Sequence, residues 1–196
     1  DAVTKKAVAD GVVAASYVFT TADQEVPTQA AQIQNLILQG YDAIVINASS
    51  PDALNGAVKQ ACDAGIVVVS FDGIVTEPCA YSVVVDFFAM GKQEIEELKK
   101  LHPEGGNLLE IRGLAGTSID EEIHKGILAG VEENPQFKIV NSVTGNWDQT
   151  TAQKAVATVL PSLPDIVAVV TQGGDGYGTA QAFAAAGKPR PTIIMG

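Results

Sequence analysis

The sequence predicts an α/β fold in which two doubly wound parallel-sheet lobes are joined by strand crossovers. Short apolar, β-branched runs alternate with segments that have helical spacing, a pattern typical of β–α units and a parallel sheet. Most of these runs end in a polar residue or a glycine, as strands do at the ligand-facing edge of open α/β sheets. One irregularity interrupts the alternation, where a run at 81–86 leads directly into Phe87 and Phe88. We therefore expect one lobe at 1–86, without its first strand, and a second, truncated lobe at 87–196.

The individual elements follow from local composition. Predicted strands are rich in Val and Ile and are bounded by turn residues; they span 12–20, 43–47, 66–72, 81–86, 107–112, 137–143, 166–171 and 192–195. Predicted helices carry apolar residues three or four positions apart and end near Gly, Asn or Pro; they span 2–9, 28–39, 51–65, 88–101, 119–133, 150–160 and 179–186. Ser50 and Pro51 suit the N-cap and first position of the third helix.

The stretch 66–73 (IVVVSFDG) is the clearest strand signal in the chain. It is apolar without alternation, which is typical of a strand buried on both faces of a parallel sheet. Polar groups at the carboxyl end of such a strand face the crevice where open α/β sheets bind ligands. Asp72 is therefore the first candidate for a ligand contact. The alternative is a loop aspartate that caps the next segment.

Several further polar or aromatic residues lie at predicted strand ends, and together they form a candidate binding edge. The candidate ligand-binding residues are Asn47, Asp72, Asp86, Trp147, Gln172 and Asp175. Carboxylates accept strong hydrogen bonds from hydroxyl groups, and amides both donate and accept them. An indole ring offers a flat wall to C–H groups. This combination favours a hydroxyl-rich ligand such as a sugar or a polyol. Trp147 has an alternative role in core packing.

Composition excludes some classes of partner. The formal net charge is −11, and the sequence has no basic run, which argues against a nucleic-acid partner. No apolar stretch approaches the length of a membrane span. The glycine-rich stretch 173–178 (GGDGYG) has neither dinucleotide-binding nor P-loop spacing. Asp120 and His124 have the spacing of metal ligands one helical turn apart, but a charged helix face is the simpler interpretation. We predict no catalytic residues, no cofactor and no metal.

Four runs resemble the type I periplasmic sugar-binding proteins of ABC importers, the ribose- and galactose-binding class. The runs are 44–50 (IVINASS), 64–72 (AGIVVVSFD), 112–118 (RGLAGTS) and 169–174 (VVTQGG). The resemblance implies two lobes that close by a hinge on a small carbohydrate. It also implies that Asn47 is the amide and Asp72 the carboxylate that reach sugar hydroxyls, and that Trp147 is the aromatic residue of the second lobe.

Three positions depart from the pentose-binding members of this class. Gly73 stands where those members often have arginine after the carboxylate, and Ile123 stands where they have a second arginine. Gly173 replaces an asparagine, with Asp175 two positions further on. The guanidinium groups that hold ribose are therefore absent. This favours a different monosaccharide or an open-chain polyol, and it disfavours acids and phosphates.

The resemblance leads to a functional expectation. The chain is expected to be a solute-binding protein that captures a monosaccharide or sugar alcohol and delivers it to the membrane permease of an ABC importer. It is expected to act as a monomer in the periplasm. The alternative is the effector-sensing core of a LacI-type transcription repressor, which would carry a helix-turn-helix segment upstream. A third reading, a nucleotide-sugar or phospho-sugar enzyme, lacks any catalytic constellation.

Cys62 and Cys79 are the only cysteines, and we expect them to form a disulfide. An even count suits an oxidising compartment. Cys62 falls near the end of the helix before the strand at 66–72, at the amino edge of the sheet. The chain must return to that edge before the run at 81–86 begins, so Cys79 lies there too. The alternative is two buried free thiols.

Overall fold

The computed structural model describes residues 2–14 and 25–195. The strand predicted at 12–20 therefore falls for the most part outside the described residues. Helices comprise α1 (Ala2–Ala9), α2 (Val26–Gln39), α3 (Asn55–Asp63), α4 (Phe87–Leu101), α5 (Ser118–Glu133), α6 (Gln149–Val159) and α7 (Gly176–Ala185). Strands comprise β1 (Ala43–Ile46), β2 (Val67–Phe71), β3 (Tyr81–Val83), β4 (Gly106–Arg112), β5 (Phe137–Thr144), β6 (Ala168–Thr171) and β7 (Thr192–Met195).

The strands form two parallel sheets, which confirms the predicted fold class. The first sheet has the order β1-β2-β3, and the second has the order β5-β4-β6-β7. Each pairing between neighbouring strands within the two sheets is parallel. The chain passes from the first sheet to the second between β3 and α4. Among the described residues, no helix has the length and apolar character needed to cross a membrane.

The first sheet buries one face against α2 and α3. Its core joins Ile44, Ile46 and Val68 of the strands to Ile33 of α2 and Val58 of α3. The expectation that the strand at 66–72 is buried on both faces is wrong for the part of the chain that the structure describes. Residues of β2 alternate between exposed and covered, because α2 and α3 lie on one side only. The exposed side carries Val45, Val67, Phe71, Tyr81 and Val83.

The second sheet is covered on both faces. One cluster joins α4 and α5 to Leu108 and Val170 of the sheet. A second cluster joins α6 and α7 to Leu109, Ile111 and Val169, which point the other way. Alternate residues of β4 therefore enter opposite cores, as the pleat of a strand requires. This sheet is doubly wound in the described residues.

Helices α4 and α5 touch backbone to backbone through three glycines, which we call the glycine seam: Gly91, Gly126 and Gly130. A Cβ atom on Gly126 would overlap the carbonyl oxygen of Phe88, and one on Gly91 would overlap that of Ile123. A Cβ on Gly130 would lie 2.8 Å from Cβ of Ile95. Any larger residue at the seam would force the two helices apart.

Three element boundaries differ from the prediction by three residues or more. Helix α3 begins at Asn55, not at Pro51, and Ser50 Oγ accepts the amide hydrogen of Ala53 at 3.3 Å in the turn before the helix. Strand β3 ends at Val83, and Asp86 instead caps α4, where Oδ1 accepts the amide hydrogen of Ala89 at 2.8 Å. Helix α7 begins at Gly176, inside the predicted glycine-rich loop. A Cβ on Gly178 would overlap the carbonyl oxygen of Gln149 at the start of α6, so close packing of α6 and α7 requires a glycine there.

Cys62 and Cys79 form a disulfide in the structure, with Cα atoms 6.4 Å apart, and the two residues are 17 positions apart in sequence. Cys62 lies in the last turn of α3, and Cys79 lies in the turn before β3. The bond therefore joins the helix that precedes β2 to the segment that leads into β3, at the edge where both strands begin.

We expect denatured, unreduced full-length protein to show no free thiol at these two positions. We also expect the Cys62→Ser/Cys79→Ser variant to lose about 3 kcal/mol of unfolding free energy, because the crosslink restricts the unfolded chain. Thiol titration and urea unfolding measure the two effects. Two free thiols per chain would contradict the bond and weaken the assignment to an exported protein.

Candidate functional site

The two sheets present the carboxyl ends of their strands to a shared pocket of about 360 Å³. The lining comes from the segment after β2 in the first sheet, from the loops after β5 and β6 in the second sheet, and from the first two turns of α4 and α5. The lining residues are Asp72, Phe87, Met90, Ile119, Ile123, Trp147, Gln172, Gly173 and Gly174. The structure thus brings three of the six predicted binding residues to one cavity.

Asp72 follows β2 in a tight turn that its neighbours hold in place. Its φ is 60°, a left-handed conformation that a residue with a side chain rarely adopts. Asn47 Nδ2 donates to Asp72 Oδ2 at 3.1 Å, and Asn47 Oδ1 accepts the amide hydrogen of Gly73 at 3.1 Å. Asn47 therefore positions Asp72 and is not itself part of the pocket lining. Its predicted contact with a ligand stays a prediction.

Gly73 explains one departure from the pentose-binding pattern. A Cβ atom at this position would lie 2.5 Å from the carbonyl oxygen of Ala48 and 2.6 Å from Asn47 Oδ1. The backbone at Gly73 therefore approaches its neighbours too closely for any side chain. An arginine would require this turn to open, and the turn also fixes Asp72.

Trp147 lies in the turn after β5, where glycines allow the indole to pack closely. A Cβ on Gly113 would overlap the ring, and one on Gly173 would lie 3.3 Å from Trp147 Cδ1. Trp147 has a φ of 56°, and Asn146 before it has a φ of 55°. Backbone strain of this kind is concentrated at ligand sites in many proteins. In the described residues, the non-glycine positions with positive φ are Asp72, Asn146 and Trp147, and two of them line the pocket.

Gln172 reaches the pocket, but both ends of its amide bind the protein. It is 5% exposed. Oε1 accepts the amide hydrogen of Gly113 at 2.9 Å, and Nε2 donates to the carbonyl oxygen of Asp120 at 3.1 Å. Arg112 pairs with the Asp120 carboxylate and does not line the pocket. Gln172 therefore ties the loop after β6 to the start of α5.

Asp175 is not among the residues that line the pocket. It is fully buried, and neither carboxylate oxygen has a hydrogen-bond partner among the described residues. A Cβ on Gly145 would lie 2.8 Å from Asp175 Oδ2, which places the carboxylate against the turn that carries Trp147. Burial and the nearby Asp148 carboxylate raise the pKa of Asp175 to about 7. Asp86, the cap of α4, is exposed and also outside the lining, so ligand contacts by both residues stay predictions.

Sequence reasoning missed four apolar residues of the lining, which we call the apolar wall: Phe87, Met90, Ile119 and Ile123. They lie in the first turns of α4 and α5, at helical spacings of three and four residues. Residues that face a protein core have the same spacing, so the sequence alone could not distinguish these pocket-facing residues from core residues. The useful clue is that both helices begin beside strand carboxyl ends, which brings their first turns to the binding edge.

The Asp120–His124 pair does not form a metal site. Asp120 binds Arg112, and His124 Nδ1 lies 2.6 Å from Glu110 Oε1 on the sheet. Within residues 2–14 and 25–195, no group of three or more His, Cys, Asp or Glu side chains is arranged to hold a metal ion.

Comparison with known families places these features in context. The family described as "Periplasmic binding protein domain" matches residues 2–196. The xylitol-binding protein of Mycolicibacterium smegmatis is 31% identical over 180 residues, which cover 90% of this chain and 52% of that protein. The ribose import binding protein of Salmonella typhimurium is 30% identical over 168 residues, which cover 85% of this chain and 56% of that protein. The chain thus spans about half the length of these relatives.

A solved structure shows the same fold. The crystal structure of an ABC transporter solute binding protein from Thermobispora bispora superposes with a TM-score of 0.88 and is 41% identical. The match covers 96% of this chain and 59% of that one.

Proposed function

We propose that this chain, which belongs to the periplasmic binding protein domain family, captures a small neutral monosaccharide or sugar alcohol in the pocket between its two sheets. The observation that carries the proposal is that Asp72, which follows a strand of the first sheet, and Trp147, which follows a strand of the second, line one cavity. The carboxylate suits hydroxyl hydrogens, and the indole suits a C–H face of the same ligand.

The charges of the pocket support a neutral ligand. Among the described residues that line the pocket, Asp72 is the only acidic or basic one. No lysine, arginine or histidine is among them. A sugar acid or phosphate would face this carboxylate without a counter-charge, and the net charge of −11 adds to the repulsion. Hydroxyl groups, in contrast, donate hydrogen bonds to a carboxylate.

The two parts of the chain are proposed to act as closing lobes, divided at residues 1–86 and 87–196. The amide hydrogen of Ile74, just after β2, is donated to Ser118 Oγ at the start of α5 at 3.2 Å. This contact joins the two parts beside the pocket and is the kind of contact that a hinge motion would make and break.

Delivery to the membrane permease of an ABC importer and export to the periplasm are parts of the same proposal. The names of the relatives support them, because those proteins bind xylitol or serve ribose import. They favour this role over the transcription repressor. The disulfide between Cys62 and Cys79 also suits an oxidising compartment. The protein is proposed to bind its ligand as a monomer, without catalysing a reaction.

We expect Asp72→Ala and Trp147→Ala each to weaken ligand binding by about ten- to hundredfold, since each removes a hydrogen bond to a charged group or an aromatic contact. Isothermal titration of the full-length protein with a panel of aldoses, polyols and sugar acids measures the effect.

Asp63→Ala serves as the matched control for this test, because Asp63 is an exposed carboxylate at the end of α3 that pairs with Lys59. Unchanged affinity in both pocket variants, with circular dichroism showing a folded protein, would exclude this pocket as the binding site. A panel in which sugar acids bind more tightly than aldoses and polyols would contradict the neutral-ligand assignment.

A further inference from the structure

The apolar wall makes one side of the pocket unsuited to hydroxyl groups. Phe87 and Met90 come from α4, and Ile119 and Ile123 come from α5. Ile123 is fully buried, and the other three are half-buried extensions of the core between these helices and the second sheet. The wall is therefore the part of a packed core that faces the pocket.

The four side chains of the wall have no hydrogen-bonding group suited to a hydroxyl, and such groups are few in the part of the lining that the structure describes. Among the described lining residues, Asp72 carries a carboxylate, Gln172 carries an amide, and Trp147 carries an indole N–H. The Gln172 amide is engaged at both ends by Gly113 and Asp120. Asp72 Oδ2 accepts from Asn47, which leaves Asp72 Oδ1 as the carboxylate oxygen that no described residue contacts. A ligand can therefore form hydrogen bonds with Asp72 but not with the four side chains of the wall.

The wall is also held at a fixed spacing. The glycine seam brings the backbones of α4 and α5 into contact at Gly91 and Gly126, which leaves no room for water between the helices at these points. A hydroxyl group pressed against the wall would lose its hydrogen bonds to water without replacement, whereas a methyl or methylene group would gain apolar contact.

We propose that the ligand turns a deoxygenated edge, a methyl or methylene group, toward Phe87, Met90 and Ile119, which pack on the buried Ile123. The ligand class is thus a deoxy sugar or a deoxy polyol, held by hydroxyl groups on its Asp72 side. This inference rests on the proposed function, and it identifies the apolar wall as the specificity-determining surface of the same pocket.

The test uses full-length protein and matched pairs of sugars that differ by one oxygen atom. The pairs are D-fucose with D-galactose, L-rhamnose with L-mannose, and 2-deoxy-D-ribose with D-ribose. Isothermal titration is expected to show at least one pair in which the deoxy sugar binds about ten- to hundredfold more tightly, the discrimination that an apolar pocket achieves. A preference below about threefold in every pair that binds would overturn the inference and leave the proposed function intact. Binding of no sugar or polyol would overturn the proposed function itself.

Two variants assign the preference to the wall. Ile119→Thr and Met90→Gln each place a polar group there, and each is expected to lower the deoxy preference about tenfold. Met90→Gln keeps the side-chain length, whereas Ile119→Thr also removes the terminal methyl group. Leu128→Thr is the matched control, because Leu128 is exposed on α5 outside the pocket and should leave the preference unchanged. An unchanged preference in the folded variants would overturn the inference. If Ile119→Thr fails to fold, Met90→Gln decides, because a half-buried flexible side chain is replaced by one of similar length.

Discussion

Replacing Glu94 by glutamine is expected to remove a loss of stability that the protein otherwise suffers as pH rises from about 5 to about 9. Glu94 lies on α4, is 3% exposed, and has no hydrogen-bond partner for either carboxylate oxygen among the described residues. Burial, and then the neighbouring Glu110 carboxylate, raise the pKa of Glu94 from 4.5 to about 9. Glu94 is therefore a neutral acid in the folded protein at neutral pH.

Glu110 shares this buried site, but its oxygens are engaged. Oε1 lies 2.6 Å from His124 Nδ1, and Oε2 accepts from Ser142 Oγ at 2.7 Å. Both of these contacts are made by Glu110, and neither provides a hydrogen bond to Glu94. A negative charge on Glu94 would lie beside Glu110 without any donor to compensate it.

The direction of the pH effect follows from proton binding in the two states. The unfolded chain releases the Glu94 proton near pH 4.5, whereas the folded chain holds it until about pH 9. The contribution of the protonated side chain is complete below pH 4.5 and declines as pH rises through this window, by at most about 1.4 kcal/mol per pH unit. Glutamine does not titrate, so the variant loses this dependence.

Urea unfolding of wild type and Glu94→Gln at pH 5, 6.5 and 8 measures the effect. We expect the variant to be more stable by about 3 kcal/mol at pH 8 and nearly equal at pH 5. Glu97→Gln is the matched control, because Glu97 lies on the same helix but is exposed and pairs with Lys100. Parallel pH profiles for wild type and Glu94→Gln would show that the carboxyl group is not buried as described.

Gly126→Ala is expected to destabilise the protein by about 3 kcal/mol or more, although alanine is the better helix former. The new Cβ would overlap the carbonyl oxygen of Phe88 and lie 2.9 Å from the amide nitrogen of Lys92. Both atoms belong to the backbone of α4, which cannot rotate away. Helix α5 would have to move, and with it the half of the apolar wall that it carries.

Gly56→Ala is the matched control for this substitution. Gly56 lies in α3, and a Cβ there would meet nothing within 4 Å, so alanine should stabilise the helix by up to about 1 kcal/mol. Thermal or urea unfolding of the two variants should therefore give shifts of opposite sign. Shifts of equal sign and size would mean that α4 and α5 do not touch at the seam.

The order of elements could be predicted because local signals and tertiary structure agree in most of this chain. β-branched runs became strands, and Gly, Asn or Pro ended helices, as at Gly40 after α2. Two of the failures occurred where a distant residue decides the outcome. Val67 and Phe71 are exposed because α2 and α3 cover only the other face of the first sheet. Gly176 is helical because α7 packs against α6.

The candidate site was predictable to the extent that strand ends determine it. Asp72, Trp147 and Gln172 follow β2, β5 and β6, and the parallel topology brings them to one pocket. Asp86 also follows a strand in sequence, but β3 ends three residues earlier and leaves it free to cap α4. Asp175 enters the helix N-terminal turn and is buried behind Gly145. The apolar wall could not be separated from core residues, since its spacing is the same.

The left-handed residues at the pocket edge have a consequence for protein engineering. Asp72, Asn146 and Trp147 adopt positive φ at a conformational cost of about 1 kcal/mol or more each. Glycine would relieve that cost at any of the three positions, but it would delete a side chain from the binding edge or from the turn that supports it. Selection for thermostability alone would therefore act against the proposed binding of a ligand at these residues. Stabilising changes should instead be sought on exposed helix surfaces, where no such conflict arises.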